Sequence, residues 1–517
     1  MKFTLREVDD ASRNIRRSIL TATSLALGVA WFLAAVAARA DAPPPIPVEA
    51  MRQDLAYLYE NLQEAHYDLY VHRSKADYDA YYRKVVASMD GPLTRADAVR
   101  LVQRFAAYGK VGHARIDAGI NEFMAYFKAG GVLLPLFVRV EAGRAYLLQS
   151  ACLSGALPAG TEIVRVDGDP VLVWLDKVAE VVSAERPYMA YAQLEKMLPV
   201  AAWIALGERT SVRVTARDGA GRMFDTEVDA LTSSQYQVLK ERFPPPAPPT
   251  DFNSREVRIL SSRIAYLRPG PFYNIEQSSV GPAPSYEDSA YRRFIDGAFD
   301  RIIAAGTRDL ILDLRNNPGG DNSFSDPMVA WFANKPFRFA SRFMLKASAA
   351  TKAYYAKQKA TGKEAASTDA ILAKLMAAEA GQPNGARYPF DLPMAHPRQG
   401  RRYTGRVYVL VNRHSYSNAT TTAALIQDYG FGKVVGEETA DLPTTFGSVV
   451  YFDLPNTGIT VTYPKSYIVR PGGNEELRGV VPDYRIADPL APTREDVVLK
   501  KAVRLVKSLR VSGSVPK

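Results

Sequence analysis

After the proline-rich run FPPPAPPTDF at 243–252, the chain alternates between two periodicities, and that alternation restricts its fold more than any other feature. RIAYLRP and DLILDLR are short, nearly continuous apolar runs, the pattern of strands buried on both faces. Between them, YEDSAYRRFIDGAFDRIIAAG repeats its apolar residues at helical spacing. GRVYVLVN is another buried-type strand, ATTTAALIQDYG a helix after it, and KVVGE a strand again. Parallel strands need a crossover, usually a helix, so this order predicts βαβ units and a mainly parallel sheet. The proline run is stiff and extended and reads as a linker over 241–252.

Upstream of the linker the pattern differs. Met51, Leu55, Leu58 and Leu62 repeat at helical spacing, as do Tyr78, Tyr81, Tyr82, Val85 and Met89. Thr94 with Asp97 reads as a capping box opening a third helix, which leads into YGKVGHARID. Residues 126–240 read as β-rich: LFVRVEAGRAYLL, GTEIVRVDGDPV and TSVRVTARDGAGRMF each place a turn signal between strand-like runs, with a helical stretch over 173–195. Residues 340–400, rich in Lys and Ala, read as a helical insertion, and 491–517 as a terminal amphipathic helix.

Residues 1–40 combine a basic lead, the apolar run SILTATSLALGVAWFLAAVA and small residues at Ala38 and Ala40. This is the pattern of a cleavable secretory signal, and Arg16-Arg17 matches twin-arginine export. The expectation is an exported, periplasmic protein, membrane-anchored if the signal stays on. The formal charge is +10; removing the six basic and three acidic residues of 1–40 leaves +7, spread along the chain. Such a balance points to no nucleic-acid groove. The single cysteine, Cys152, excludes an internal disulfide and cysteine-rich metal sites.

In an open α/β sheet, ligands sit beyond the carboxyl ends of the strands. Two turns leave such ends. DLRNNPGGDN (313–322) offers Gly319 and Gly320, whose backbone a substrate carbonyl can approach closely. VNRHSYSNATTTAA (411–424) offers Ser415 and Ser417. Ser417 stands where the strand has ended and the helix begins, so it is either a presented nucleophile or an N-cap. The N–H of Asn418 points the same way. Ser415, inside the turn, suits bonding to its own backbone. A serine nucleophile needs a base. His414 is near in sequence, but a tight turn does not fold its imidazole back onto Ser417. His66, His72 and His396 suit structural or exposed positions. His113, after Gly112 at a helix-to-strand junction, fits a presented side chain.

Together these segments resemble the tail-specific, or C-terminal processing, serine peptidases, in particular their tricorn-like branch. KVGHARI, ILDLRNNPGGDN, VYVLVNRHSYSNATTTAALI followed by KVVGEET, and EELRGVVPDYRI match the family's segments in order. One design in that family pairs serine with a following lysine, which ETADLPTTFG lacks. The resemblance therefore implies the Ser-His-Glu design. Ser417 would be the nucleophile, His113 the base and Glu476 the orienting acid, with Glu475 as runner-up. Gly319 or Gly320 with the N–H of Asn418 would form the oxyanion hole. It also implies an α/β fold: a crotonase-like peptidase core over 253–490, a PDZ-like domain at 126–240, and an N-terminal helical region, 41–125, carrying His113. The expected function is hydrolysis of polypeptide substrates without metal or organic cofactor. The competing expectations are a catalytically silent binding protein on the same fold and an esterase or amidase for small substrates.

Overall fold

The computed structural model describes residues 44–244, 254–278, 281–282, 287–360, 370–490 and 493–511. Residues 1–40, expected to form an export signal, and positions 245–252 of the proline-rich linker lie outside the described residues. The protein is a mixed α/β structure built on three larger sheets.

The central sheet has six strands in the order Tyr484–Arg485, Lys433–Gly436, Arg406–Val411, Asp309–Asp313, Ile264–Arg268 and Glu256–Ser261. Every neighbouring pair is parallel except the last, which is antiparallel. Alternate residues serve opposite faces. Leu310, Leu312, Val407 and Val409 pack against the helices Ser289–Ala304, Asn322–Ala330 and Asn418–Asp428 through Phe299, Phe324 and Leu425. Ile264, Tyr266, Ile311 and Leu410 meet the terminal helix Val497–Val511 at Leu499, Ala502 and Val506. Both faces are covered, which is why these strands read as unbroken apolar runs. The parallel strands end on one edge, so the turns after Arg268, Asp313, Val411 and Gly436 share one rim.

A second, antiparallel sheet joins Val138–Glu141, Arg144–Leu147, Glu162–Val166, Ser211–Arg217 and Met223–Asp229, with Asp169–Pro170 beside it. The helices Val171–Val178 and Pro187–Leu206 cover it through Trp174, Leu175, Leu194 and Leu198. The stretch 173–195 is thus two helices rather than one. Pro187 opens the second of them, at a position where its missing N–H costs nothing.

The third sheet pairs Thr460–Val469 with Thr445–Asp453, Arg115–Ile116 and Arg342–Lys346, and the last of these with Arg387–Pro389. The span 340–400 therefore contains two strands of this sheet framing the helices Ala349–Ala360 and Ala370–Ala380. N-terminal helices Val48–Ala65, Lys75–Ala87 and Arg95–Ala107 lie against it, with Leu55, Leu58 and Phe105 on Val461 and Tyr463. Thr94 caps the third helix by accepting the N–H of Asp97 at 3.1 Å. Buried Asp54 accepts the backbone N–H groups of Asn456 and Thr457, both at 2.8 Å. This bond set ties the first helix to a turn about 400 residues away in sequence.

Candidate active site

The turn Asn412–Ser417 is fixed from both sides. Ser415 is fully buried; its Oγ donates to the Leu314 carbonyl at 2.8 Å and accepts the Asn412 N–H at 3.1 Å. That hydroxyl is consumed by the backbone, as its place inside the turn predicted. Arg413 donates to Glu195 at 2.8 Å and to Glu437 at 3.2 Å, and it also meets Glu141. Arg139 is bonded to the same Glu437. This buried ionic network docks the second sheet onto the rim of the first. His414 belongs to it: its Nε2 lies 2.9 Å from Glu195 Oε2, which engages that nitrogen.

Ser417 follows with φ +53° and ψ −125°, a conformation few side-chain-bearing residues adopt. It precedes the helix Asn418–Asp428, yet its side chain makes no capping bond. The hydroxyl is thus left for another partner at a sharp, strained strand-to-helix turn. Backbone strain of this kind, about 1–3 kcal/mol, persists only where the surroundings impose it.

His113 supplies that partner. Its Nε2 lies 3.4 Å from Ser417 Oγ, across 304 positions of sequence. It is carried by the turn between the helix Arg95–Ala107 and the strand Arg115–Ile116, and that strand is registered on Thr462 and Val461. Burial, reinforced by the positive charge of Arg115, lowers the imidazole from its usual 6.5 to about 4. The ring is therefore neutral at pH 7 and able to accept a proton. A serine–histidine distance of this size is common before substrate binds. The Tyr416 ring lies 5.3 Å from the imidazole, and its hydroxyl donates to the Gly112 carbonyl at 3.1 Å.

Gly319 lies against the nucleophile. A Cβ there would come within 2.6 Å of Asn418 N, 2.6 Å of the Tyr416 carbonyl and 2.8 Å of Ser417 Cβ. Its own N–H is already given to Asn317 Oδ1 at 2.9 Å. Among the described residues, no partner takes the N–H of Gly320 or of Asn418. Asn418 directly follows Ser417, and Gly320 directly follows Gly319, which packs on Ser417.

The structure does not bring Glu476 to this pair. Glu476 sits on an exposed loop, its N–H bonded to Asn474 Oδ1 at 2.8 Å, and lines an open pocket with Arg470 and Arg478. Glu475 is engaged by Arg342 at 2.8 Å and by Tyr467. The His113 Nδ1 is buried with no hydrogen-bond partner among the described residues. The remaining histidines lie elsewhere: His66 is fully buried and accepts the Asp68 N–H, His72 is half-buried, and His396 is exposed.

Sequence reading missed two carboxyl groups behind the pair, Asp441 and Glu185. Asp441 accepts the Ser417 N–H and Glu185 accepts the Gly112 N–H. Both are single acidic residues in loops, and no periodicity or spacing marks them.

Residues 275–486 match the model of peptidase family S41. The chain is similar in structure to mature CPAF complexed with lactacystin, with a TM-score of 0.60 and 16% identity, covering 89% of this chain and 97% of that one. A crystal structure of mature CPAF superposes with a TM-score of 0.56 at 16% identity, covering 85% and 92%. The photosystem II D1 C-terminal processing protease aligns with a TM-score of 0.40 at 15% identity, covering 84% and 93%. No curated protein matches the chain in sequence.

Proposed function

We propose that this chain, whose residues 275–486 match the model of peptidase family S41, is a serine-type peptidase that hydrolyses polypeptide substrates with Ser417 as nucleophile and His113 as general base. The observation that carries the reading is the approach of His113 Nε2 to Ser417 Oγ at 3.4 Å. His113 takes the hydroxyl proton as the Ser417 oxygen bonds to the peptide carbonyl carbon. The N–H groups of Gly320 and Asn418 stabilise the oxyanion. Removing one such donor in a serine peptidase typically costs about 10²–10³ in rate. The C–N bond then breaks as His113 returns the proton to the leaving amine, and water repeats the sequence on the acyl-enzyme. Gly319 acts through its lack of a side chain, since its own N–H is engaged by Asn317.

Glu476 keeps the role of orienting acid only if its loop closes onto Nδ1. In the conformation described, Ser417 and His113 act as a pair. The remaining assignments extend the same reading: a crotonase-like core, a PDZ-like role for the sheet built from 138–229, and export directed by 1–40.

A second reading, a catalytically silent protein on the peptidase fold, has the unpartnered His113 Nδ1 in its favour. Turnover decides between them. Purified protein should cleave an unfolded polypeptide, Ser417→Ala should abolish cleavage, and simple esters should turn over less efficiently than peptides. Cleavage that persists in Ser417→Ala refutes the assignment. Absence of any turnover by the wild type favours the silent reading, and turnover of esters alone favours an esterase.

A further inference from the structure

Asp441 and Glu185 stand where they hold the backbone of the two reacting segments. Asp441, in the loop after the strand Lys433–Gly436, is 3% exposed, and its Oδ2 accepts the N–H of Ser417. Glu185, in the loop before the helix Pro187–Leu206, accepts at Oε1 the N–H of Gly112, the residue preceding His113, at 2.9 Å. A Cβ on Gly112 would lie 3.1 Å from Glu185 Oε2 and 3.6 Å from the Tyr416 hydroxyl, so this carboxyl, the Tyr416 ring and the base's turn are in mutual contact.

We propose that Asp441 and Glu185 are positioning residues for the Ser417–His113 reaction, a carboxyl pair that clamps the nucleophile's turn to the base's turn. The inference rests on the assignment of Ser417 and His113 given above. Asp441 fixes the strained Ser417 backbone from its N–H side, which frees the hydroxyl to face the imidazole. Glu185 fixes the approach of His113 in the same way. The titratable group facing both carboxyls is Tyr416, which also meets Arg115; that arginine in turn acts on His113.

Asp441 is buried and Glu185 half-buried, and among the described residues no cation acts on either, so the two resist double ionisation. Burial raises both, and the charge of Glu185 adds to the rise of Asp441, to about 7. Below that pH the pair holds a proton and the two turns sit together. Above it both groups are charged, repel each other and push the turns apart. The reaction should therefore lose rate on the alkaline side, at a pH unconnected with the His113 titration.

The test is the second-order rate of fluorophosphonate labelling at Ser417 between pH 5 and pH 9, with melting temperatures, for wild type, Asp441→Asn, Glu185→Gln and Asp441→Ala. The wild type should slow above pH ~7. Both amide variants should lose that alkaline fall. Asp441→Ala, which removes the acceptor, should label about 10²-fold more slowly at pH 6, as expected of a small misplacement. Asp441→Asn should melt at or above the wild-type temperature at pH 8, because a buried unpaired charge is gone; a purely structural aspartate would give the opposite. An unchanged alkaline fall in both amide variants, or wild-type labelling by Asp441→Ala, overturns the proposal. If Asp441→Ala does not fold, the pH profile of Glu185→Gln decides alone. A wild type that does not label at Ser417 removes the underlying assignment instead, so the two failures are distinguishable.

Discussion

Gly319→Ala puts the geometry of the site to a quantitative test. The residue has φ +86°, so alanine is strained there whatever the space around it. The added methyl also meets two backbone atoms at 2.6 Å, Asn418 N and the Tyr416 carbonyl oxygen, neither of which can rotate away. Strain of about 1–3 kcal/mol and overpacking of about 1–3 kcal/mol give a destabilisation of about 2–6 kcal/mol. Relief requires the turn carrying Ser417 to retreat, and a shift approaching 1 Å at a reacting group costs on the order of 10² in rate. Gly306→Ala is the matched control. It has φ +66° with nothing within 4 Å of the added methyl, so it should cost only about 1–2 kcal/mol and leave the site intact. Calorimetry gives the stabilities and fluorophosphonate labelling gives the rates. Equal labelling by the two variants would refute the claim that Gly319 packs against a catalytic turn.

Four further outcomes follow from the structure. Peptide turnover should follow the unprotonated His113, falling to half near pH 4 rather than near 6.5, and a pH–rate profile of kcat/KM measures this. The same depression has a sign for stability: the unfolded chain takes the proton first, so stability is lost as pH falls from about 6.5 toward 4, which acid melting curves read. Arg413→Met leaves the buried Glu195 with His414 alone and the buried Glu437 with Arg139 alone, and should destabilise by up to about 3–5 kcal/mol in denaturant titration. Glu476→Gln should lower turnover by less than tenfold if Ser417 and His113 act as a pair. A loss comparable to that of His113→Ala would show that the loop closes during the reaction.

The central sheet was legible because burial on both faces leaves no polar alternation in Ile264–Arg268, Asp309–Asp313 and Arg406–Val411, so each reads as a short apolar block. The third sheet was not. Arg342–Lys346 and Arg387–Pro389 are five and three residues long and flank helices with a strong Ala/Lys signature, which dominates the local pattern. The rim turns announced Ser417 and Gly319 through residue type and place. The dismissal of His414 needed only the length of its turn, whereas its actual partner, Glu195, lies 219 positions away and could be found only in three dimensions. Asp441 and Glu185 were invisible for the same reason: their role is a hydrogen bond to a backbone amide, and it leaves no side-chain motif. Glu476 shows the converse. A matching segment fixes a residue's position in the chain, but not the conformation of the exposed loop that carries it.

The site of fluorophosphonate attachment, mapped by mass spectrometry in wild type, His113→Ala and His414→Ala, bears most directly on whether His113 activates Ser417. The structure predicts an adduct on Ser417 that persists in His414→Ala and is lost in His113→Ala. An adduct on Ser415, or equal loss in both histidine variants, would contradict it.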